Sequence, residues 1–137
     1  MPALSKFDCF VENLAEKVHD LGADALTVAL TNSAPIASNT VLANITEIAY
    51  TNLSTRVLSK TSSAQTAGVY KLVLADLVLT ATGAVGPFRY VVVYNDTPTS
   101  PVDPLIGWYD YGSSISLAAN ETLTLDFDPT NGAIQLT

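Results

Sequence analysis

The chemistry open to this chain is narrowed first by its single cysteine and single histidine among 137 residues. Cys9 and His19 are the only thiol and imidazole it has. On one helix their spacing sets them about 15 Å apart and roughly 80° out of phase, so a thiol–imidazole couple is not expected. The structural expectation is a small packed thiol at Cys9 and a partly exposed helix residue at His19. One His and one Cys also leave no zinc-binding set, and no cofactor is expected. The run Asp126-Phe127-Asp128-Pro129-Thr130-Asn131-Gly132 has the alternating acids of a calcium loop. Its Gly falls one place late, Pro129 stiffens it, and no bidentate Glu follows. Asp126 and Asp128 therefore read as solvent-face strand carboxylates, with a weak structural calcium as the alternative. Glu47, Asp76 and Asp110 stand apart in sequence, and no Gly-rich phosphate loop is present. The chain is not expected to be an enzyme.

Surface recognition is better supplied. Ile106-Gly107-Trp108-Tyr109-Asp110-Tyr111-Gly112 is the densest aromatic run. On a strand, Tyr109 and Tyr111 share one side and Trp108 takes the other. One side must be core. The residues left outward are candidate anchors for a partner protein or a sugar-stacking platform, whereas a fully packed core would use all three. The loop Thr97 to Pro104 holds Pro98, Pro101 and Pro104 and is expected to be a surface excursion acting as a contact arm.

The elements that must carry these residues begin with a helix. Phe7, Phe10, Val11, Leu14 and Val18 recur at helical steps opposite Asp8, Glu12, Glu16, Lys17 and Asp20, which predicts an amphipathic α-helix from about 5 to 21. Ser5 with Asp8 resembles a capping box, and Gly22 suits the left-handed terminating position. The period then changes to two: Leu26, Val28 and Leu30 alternate with Thr27, Ala29 and Thr31. Residues 32–40 read as loop, and 41–48 fit neither a helix nor a strand. Further strands are expected at 56–63, 69–75, 77–82, 88–95, 105–111, 121–128 and 133–137. The buried phase flips at Ala75 and Asp76, requiring a bulge or turn. Phe88 to Tyr94, apolar on both phases except Arg89, should be central; Leu123, Leu125 and Phe127 should line a half-exposed strand. Asn131-Gly132 should close a terminal hairpin. The sum is one mostly β domain over 1–137, an antiparallel β-sandwich or jelly roll of about eight strands at about 25–137 with one N-terminal amphipathic helix.

Hydrophobic residues make up 48% and charged residues 14%, so the surface must be rich in Thr, Ser and Asn, and the net charge is -7. That field repels phosphate backbones and anionic lipid, so neither nucleic acid nor membrane is an expected partner. A lone cysteine suits a reducing cytoplasm, and residues 1–20 resemble neither a signal peptide nor a spanning segment.

The segments Lys6-Phe7-Asp8-Cys9-Phe10-Val11-Glu12-Asn13-Leu14-Ala15, Thr31-Asn32-Ser33-Ala34-Pro35, Phe88-Arg89-Tyr90-Val91-Val92-Val93-Tyr94-Asn95-Asp96 and Leu105-Ile106-Gly107-Trp108-Tyr109-Asp110-Tyr111-Gly112 resemble those of small virion proteins of tailed bacteriophages. The chain is similar to head decoration, or cement, proteins from about Phe7 to its end. The resemblance implies a capsid-bound accessory protein that contacts the major capsid protein on the outer head surface. It also implies a homo-oligomer, commonly a trimer, made in the host cytoplasm. A tail or baseplate component and a carbohydrate-binding β-sandwich module are the alternatives.

Overall fold

The computed structural model describes Pro2 to Thr137; Met1, the first residue of the expected domain, lies outside the described residues. The chain is mostly β, with 46% of residues in strands and 7% helical. In order, the elements are β1 (Ser5–Lys6), α1 (Cys9–Ala15), β2 (Leu26–Thr31), a 3-10 turn (Leu42–Asn44), β3 (Lys60–Thr66), β4 (Val69–Leu74), β5 (Leu77–Thr80), β6 (Val85–Asn95), β7 (Leu105–Leu117), β8 (Thr122–Leu125) and β9 (Ile134–Leu136). All strand pairs are antiparallel and form three sheets, in the orders β1-β7-β6-β2, β3-β4-β9 and β5-β8.

The helix is far shorter than the 5–21 span its periodicity predicts. Ser5 and Lys6 are drawn into β1 opposite Trp108 and Gly107, and the Phe7 amide donates to the Ile106 carbonyl at 3.1 Å. The helix therefore opens at Asp8, whose side chain makes no capping bond, and the expected Ser5–Asp8 box does not form. At the other end Lys17, not Gly22, takes the left-handed conformation at φ 70°. The Val18 amide reaches back to the Asn13 carbonyl at 2.8 Å and the Lys17 amide to that of Leu14 at 3.4 Å, a Schellman ending. A continued helix would carry His19 on the solvent face with Glu12, two turns back. The break turns it inward, so His19 is buried at 5% exposure instead of partly exposed. Val11, expected on the apolar face, is 51% exposed because so short a helix buries only Phe10.

The strand pattern is largely as the alternation indicates. β6 lies between β7 and β2, as its two-sided apolar sequence requires. Leu125 and Phe127 are buried while Thr122, Thr124, Asp126 and Asp128 are exposed. The phase flip at Ala75-Asp76 is the passage from β4 in one sheet to β5 in another. In β2 all six residues are buried, Thr27, Ala29 and Thr31 as well as Leu26, Val28 and Leu30. Its free edge is covered by the next segment: Val28 donates to the Arg56 carbonyl at 3.0 Å and Leu58 to that of Leu26 at 2.9 Å. The terminal hairpin is absent, because β8 pairs with β5 and β9 with β4. The Pro129–Gly132 turn does form, with Gly132 at φ 80°, but it hands the chain from one sheet to the other.

Two apolar clusters result. The larger one gathers side chains from all three sheets, among them Val28, Val91, Ile106, Leu72, Ile134, Leu79 and Leu125. The smaller lies on the other face of the β1-β7-β6-β2 sheet and comprises Phe7, Ala29, Val92, Tyr94 and Leu105, with Cys9, Leu42, Ile45 and Trp108 against it. A bulge keeps β7 serving both faces. Leu105 and Gly107 stand opposite Tyr94 and Val93, leaving Ile106 as the extra residue. Leu105 and Trp108 can then join the small cluster while Ile106 and Tyr109 join the large one.

Candidate functional site

The aromatic run is divided between the two faces of its sheet. Trp108 is partly buried on the small-cluster side, its ring 4.6 Å from that of Phe7 and tilted at 50°. Tyr109 is 4% exposed on the opposite side, 6.0 Å from the Phe127 ring, and Tyr111 packs partly buried against the same large cluster. Burial pushes both phenols upward in pKa, with the Tyr111 phenol adding to the effect at Tyr109. The predicted split of Trp108 from Tyr109 and Tyr111 therefore holds, but the three rings do not share one exposed platform.

The proline loop is ordered and folded down onto the protein. Pro98 and Pro101 are partly buried and Pro104 is buried, so the expected surface excursion is anchored in the fold at its C-terminal end. Its ends are tied. The Ala25 amide donates to Thr97 Oγ1 at 2.8 Å, the Asn95 amide to the Pro104 carbonyl at 3.0 Å, and the Leu42 amide to the Asp103 carbonyl at 2.9 Å. That last bond, with the bridge between Val41 and Pro104, seats the loop on the 3-10 turn. The turn is itself held by Asn44, whose Oδ1 accepts from the Thr40 and Val41 amides at 3.0 and 3.2 Å. Sequence reading left 41–48 undecided because this segment is shaped by Asn44 and by the proline loop, not by its own periodicity.

Together the two loops make an ordered face beside Trp108. Val41, Leu42, Ala43, Ile45 and Val102 line a shallow cavity of about 380 Å³ with Glu47 and Asp103 at its rim. Val102 is 59% exposed and Ile36, in the same loop as Val41, is 64% exposed. The Asp103 carboxyl is raised by burial, and by a hydrogen bond with Asp96 and the charge of Glu47. An apolar floor with crowded carboxylates suits contact with another protein surface that brings apolar and basic groups.

The groups that might do covalent chemistry are instead occupied by the fold. Cys9 Sγ lies 3.7 to 3.8 Å from the carbonyls of Asn39, Thr40 and Leu105, and burial raises its pKa, leaving it a thiol rather than a nucleophilic thiolate. Asn95 is fully buried and joins three segments. Its Nδ2 donates to Asp24 Oδ2 at 2.7 Å and lies 3.0 Å from His19 Nδ1, while its Oδ1 accepts from the Thr97 amide at 3.1 Å. Those partners fix the amide's orientation, so His19 Nδ1 is the acceptor and the proton sits on Nε2, buried with no partner among the described residues. Burial lowers the His19 pKa, against the pull of Asp24. Nothing in the sequence flagged this cluster, because its members are joined only through tertiary contacts.

The carboxylates are similarly engaged. Asp110 pairs with Arg89 through bonds of 2.8 and 3.1 Å and accepts from the Gly112 amide at 2.7 Å, which together lower its pKa. Asp76 accepts from the Phe127 amide at 2.9 Å, and Glu47 from the Tyr50 hydroxyl at 2.7 Å. Asp128 accepts from the Thr130 and Asn131 amides at 2.7 and 2.9 Å, and these bonds lower its pKa. It therefore organises the Pro129–Gly132 turn. No group of three or more His, Cys, Asp or Glu able to hold a metal occurs among the described residues. No helix there is long and apolar enough to cross a membrane. Comparison of the chain with protein families, with curated proteins and with solved structures finds no match.

Proposed function

We propose that this chain is a structural virion protein, a decoration or cement protein that binds the outer surface of a phage head and stabilises the shell. The observation that carries this reading is the ordered loop face of Val41, Leu42, Ile45, Val102 and Trp108 with Glu47 and Asp103, set on a fold whose reactive groups are internally bonded. The segments resembling those of head decoration proteins give that face its partner, the major capsid protein.

The mechanism is linkage. A pressurised shell tends to open at junctions between capsomers, and a protein that binds only the closed junction adds its binding free energy to the closed state. Several copies acting together raise effective concentration, so modest single contacts suffice. In this reading the four-stranded sheet and the two smaller sheets act as the layers of a sandwich around the large cluster, with the contact loops outside one layer.

Co-sedimentation of the purified protein with mature heads and with unexpanded precursors is the test. Binding to mature heads alone, weakened at least tenfold by Trp108→Ala with Val102→Asp, supports the assignment. Equal indifference to both shells overturns it and favours a tail, baseplate or sugar-binding role.

A further inference from the structure

Asn131 is the only asparagine of the sequence that is followed by glycine. Asparagine before glycine is the dipeptide most open to deamidation. The glycine amide nitrogen loses its proton and attacks the asparagine Cγ, ammonia leaves, and a five-membered succinimide forms. Water then opens the ring at either carbonyl. The products are aspartate and isoaspartate, in which the main chain runs through the side-chain carboxyl. Glycine favours the attack because it has no Cβ to obstruct the approach.

The turn imposes this labile pair. Gly132 stands at φ 80°, and a Cβ there would lie 2.7 Å from the Leu72 carbonyl oxygen, so the position favours glycine on both counts. Asn131 is exposed, so burial does not keep water from it. Both reacting groups are instead restrained by Asp128. The Gly132 amide, which must lose its proton to become the nucleophile, donates to the Asp128 carbonyl at 3.1 Å. Asn131 Nδ2 donates to Asp128 Oδ2 at 3.0 Å, which ties the electrophilic Cγ toward the residue three places back and not toward the nitrogen of residue 132. The Asn131 and Thr130 amides donate to Asp128 Oδ1 at 2.9 and 2.7 Å, and Lys71 of β4 donates to the Thr130 carbonyl at 3.0 Å. The bonds from Asn131, joined by that from Thr130, lower the Asp128 pKa. A negative charge therefore stays beside the nitrogen anion and the oxyanion that the reaction must form, and opposes both.

We propose that Asn131 is a deamidation site, held unreactive by Asp128 in the folded turn and released when that turn opens. The reaction also perpetuates the opening. A carboxylate at 131 replaces the Nδ2 donor with a second negative group facing Asp128, which breaks the side-chain bond and repels its partner. Isoaspartate lengthens the main chain within a turn whose next residue, Ala133, donates to the Leu72 carbonyl at 2.8 Å and whose following residue, Ile134, begins β9 in the core. Loss of this seat loosens the pairing of β9 with β4. The modification is therefore an irreversible record of local opening. It does not depend on the shell-binding reading, since both reacting groups belong to this chain.

Prolonged incubation of the full chain at mildly alkaline pH, with peptide mapping of aspartate and isoaspartate at position 131, tests the proposal. The folded wild type should react roughly tenfold or more slowly than the same chain in urea. Asp128→Ala removes both side-chain acceptors and should raise the rate under native conditions roughly tenfold or more. Asp128→Asn, which keeps one acceptor oxygen for the Thr130 and Asn131 amides but loses the acceptor for Nδ2, should also react faster than the wild type and serves where the alanine variant fails to fold. Asn95→Ala weakens the fold without touching this turn and should stay within about twofold of the wild type, which separates release of the turn from general loss of stability. A wild type that reacts as fast folded as in urea overturns the proposal. So does a variant at 128 that is folded by circular dichroism and no faster than the wild type, or an Asn95→Ala chain as fast as Asp128→Ala.

Discussion

Truncation of Asn95 to alanine should cost a large share of the stability of this fold. The Asn95 side chain is fully buried, and its amide holds Asp24, His19 and the Thr97 backbone in place with bonds of 2.7 to 3.1 Å. The bond to the Asp24 carboxylate is of the charged kind, worth about 2 kcal/mol, and the two neutral ones contribute about 1 kcal/mol each. Asp24 keeps the Asp20 amide at 2.8 Å, so its carboxylate is not stripped of every partner. The Thr97 amide loses the Asn95 oxygen, and His19, already without a partner at Nε2, loses its bond at Nδ1. The sum is a destabilisation of about 3–5 kcal/mol, set against the 5–15 kcal/mol typical of a domain. Urea denaturation followed by far-ultraviolet circular dichroism reads it directly as a lower midpoint at unchanged slope. A scanning melt should show a fall of about 10–20 °C. A loss below about 1 kcal/mol would refute the reasoning, since it would mean that the amide does no more than fill space.

Acidification should weaken the fold through His19. Its folded-state pKa lies below the ordinary 6.5 because of burial, so above that pH both states are neutral and the residue has no effect. Below it the unfolded chain takes up a proton that the folded one refuses, and stability falls as pH drops from about 6.5 toward 5. Urea midpoints across that range should decline in the wild type and flatten in His19→Gln; equal slopes in both would contradict the assignment. Gly132→Ala and Gly68→Ala separate steric from conformational cost. Both glycines have φ near 80°, but a Cβ at Gly132 would come within 2.7 Å of the Leu72 carbonyl oxygen, whereas one at Gly68 meets nothing within 4 Å. Gly68→Ala should cost about 1 kcal/mol and Gly132→Ala clearly more in the same urea assay; equal losses would contradict the crowding argument.

Local pattern located most of the strands, because alternation is a property of neighbouring residues that survives whatever the strand pairs with. Phe88 to Tyr94 identified a strand buried on both sides, and Ala75-Asp76 marked the passage between sheets. The same logic failed in α1, where periodicity from Phe7 to Val18 was real but the pairing of Ser5 and Lys6 with β7 claimed its first turn. Alternation likewise did not show that β2 is buried on both faces, Thr27 and Thr31 included, with residues 56–58 along its edge. In the candidate contact face, Trp108 was legible as the odd member of its aromatic run. Pro104 was not legible as a buried residue, because its environment is supplied by Val41 and Asn95 from distant segments.

By itself the amino-acid order determined the β class, the sites of several turns, the polarity of most strand faces and the acidic, lightly charged surface. These depend on residue type and on spacing over a few positions. Only the tertiary structure decided which strands became neighbours, that Asp128 and Gly132 turn the chain between sheets instead of closing a hairpin, and that His19 is held by Asn95 inside the core. Those outcomes depend on contacts between residues far apart in the chain, where the free energy of burying a shared surface outweighs local preference.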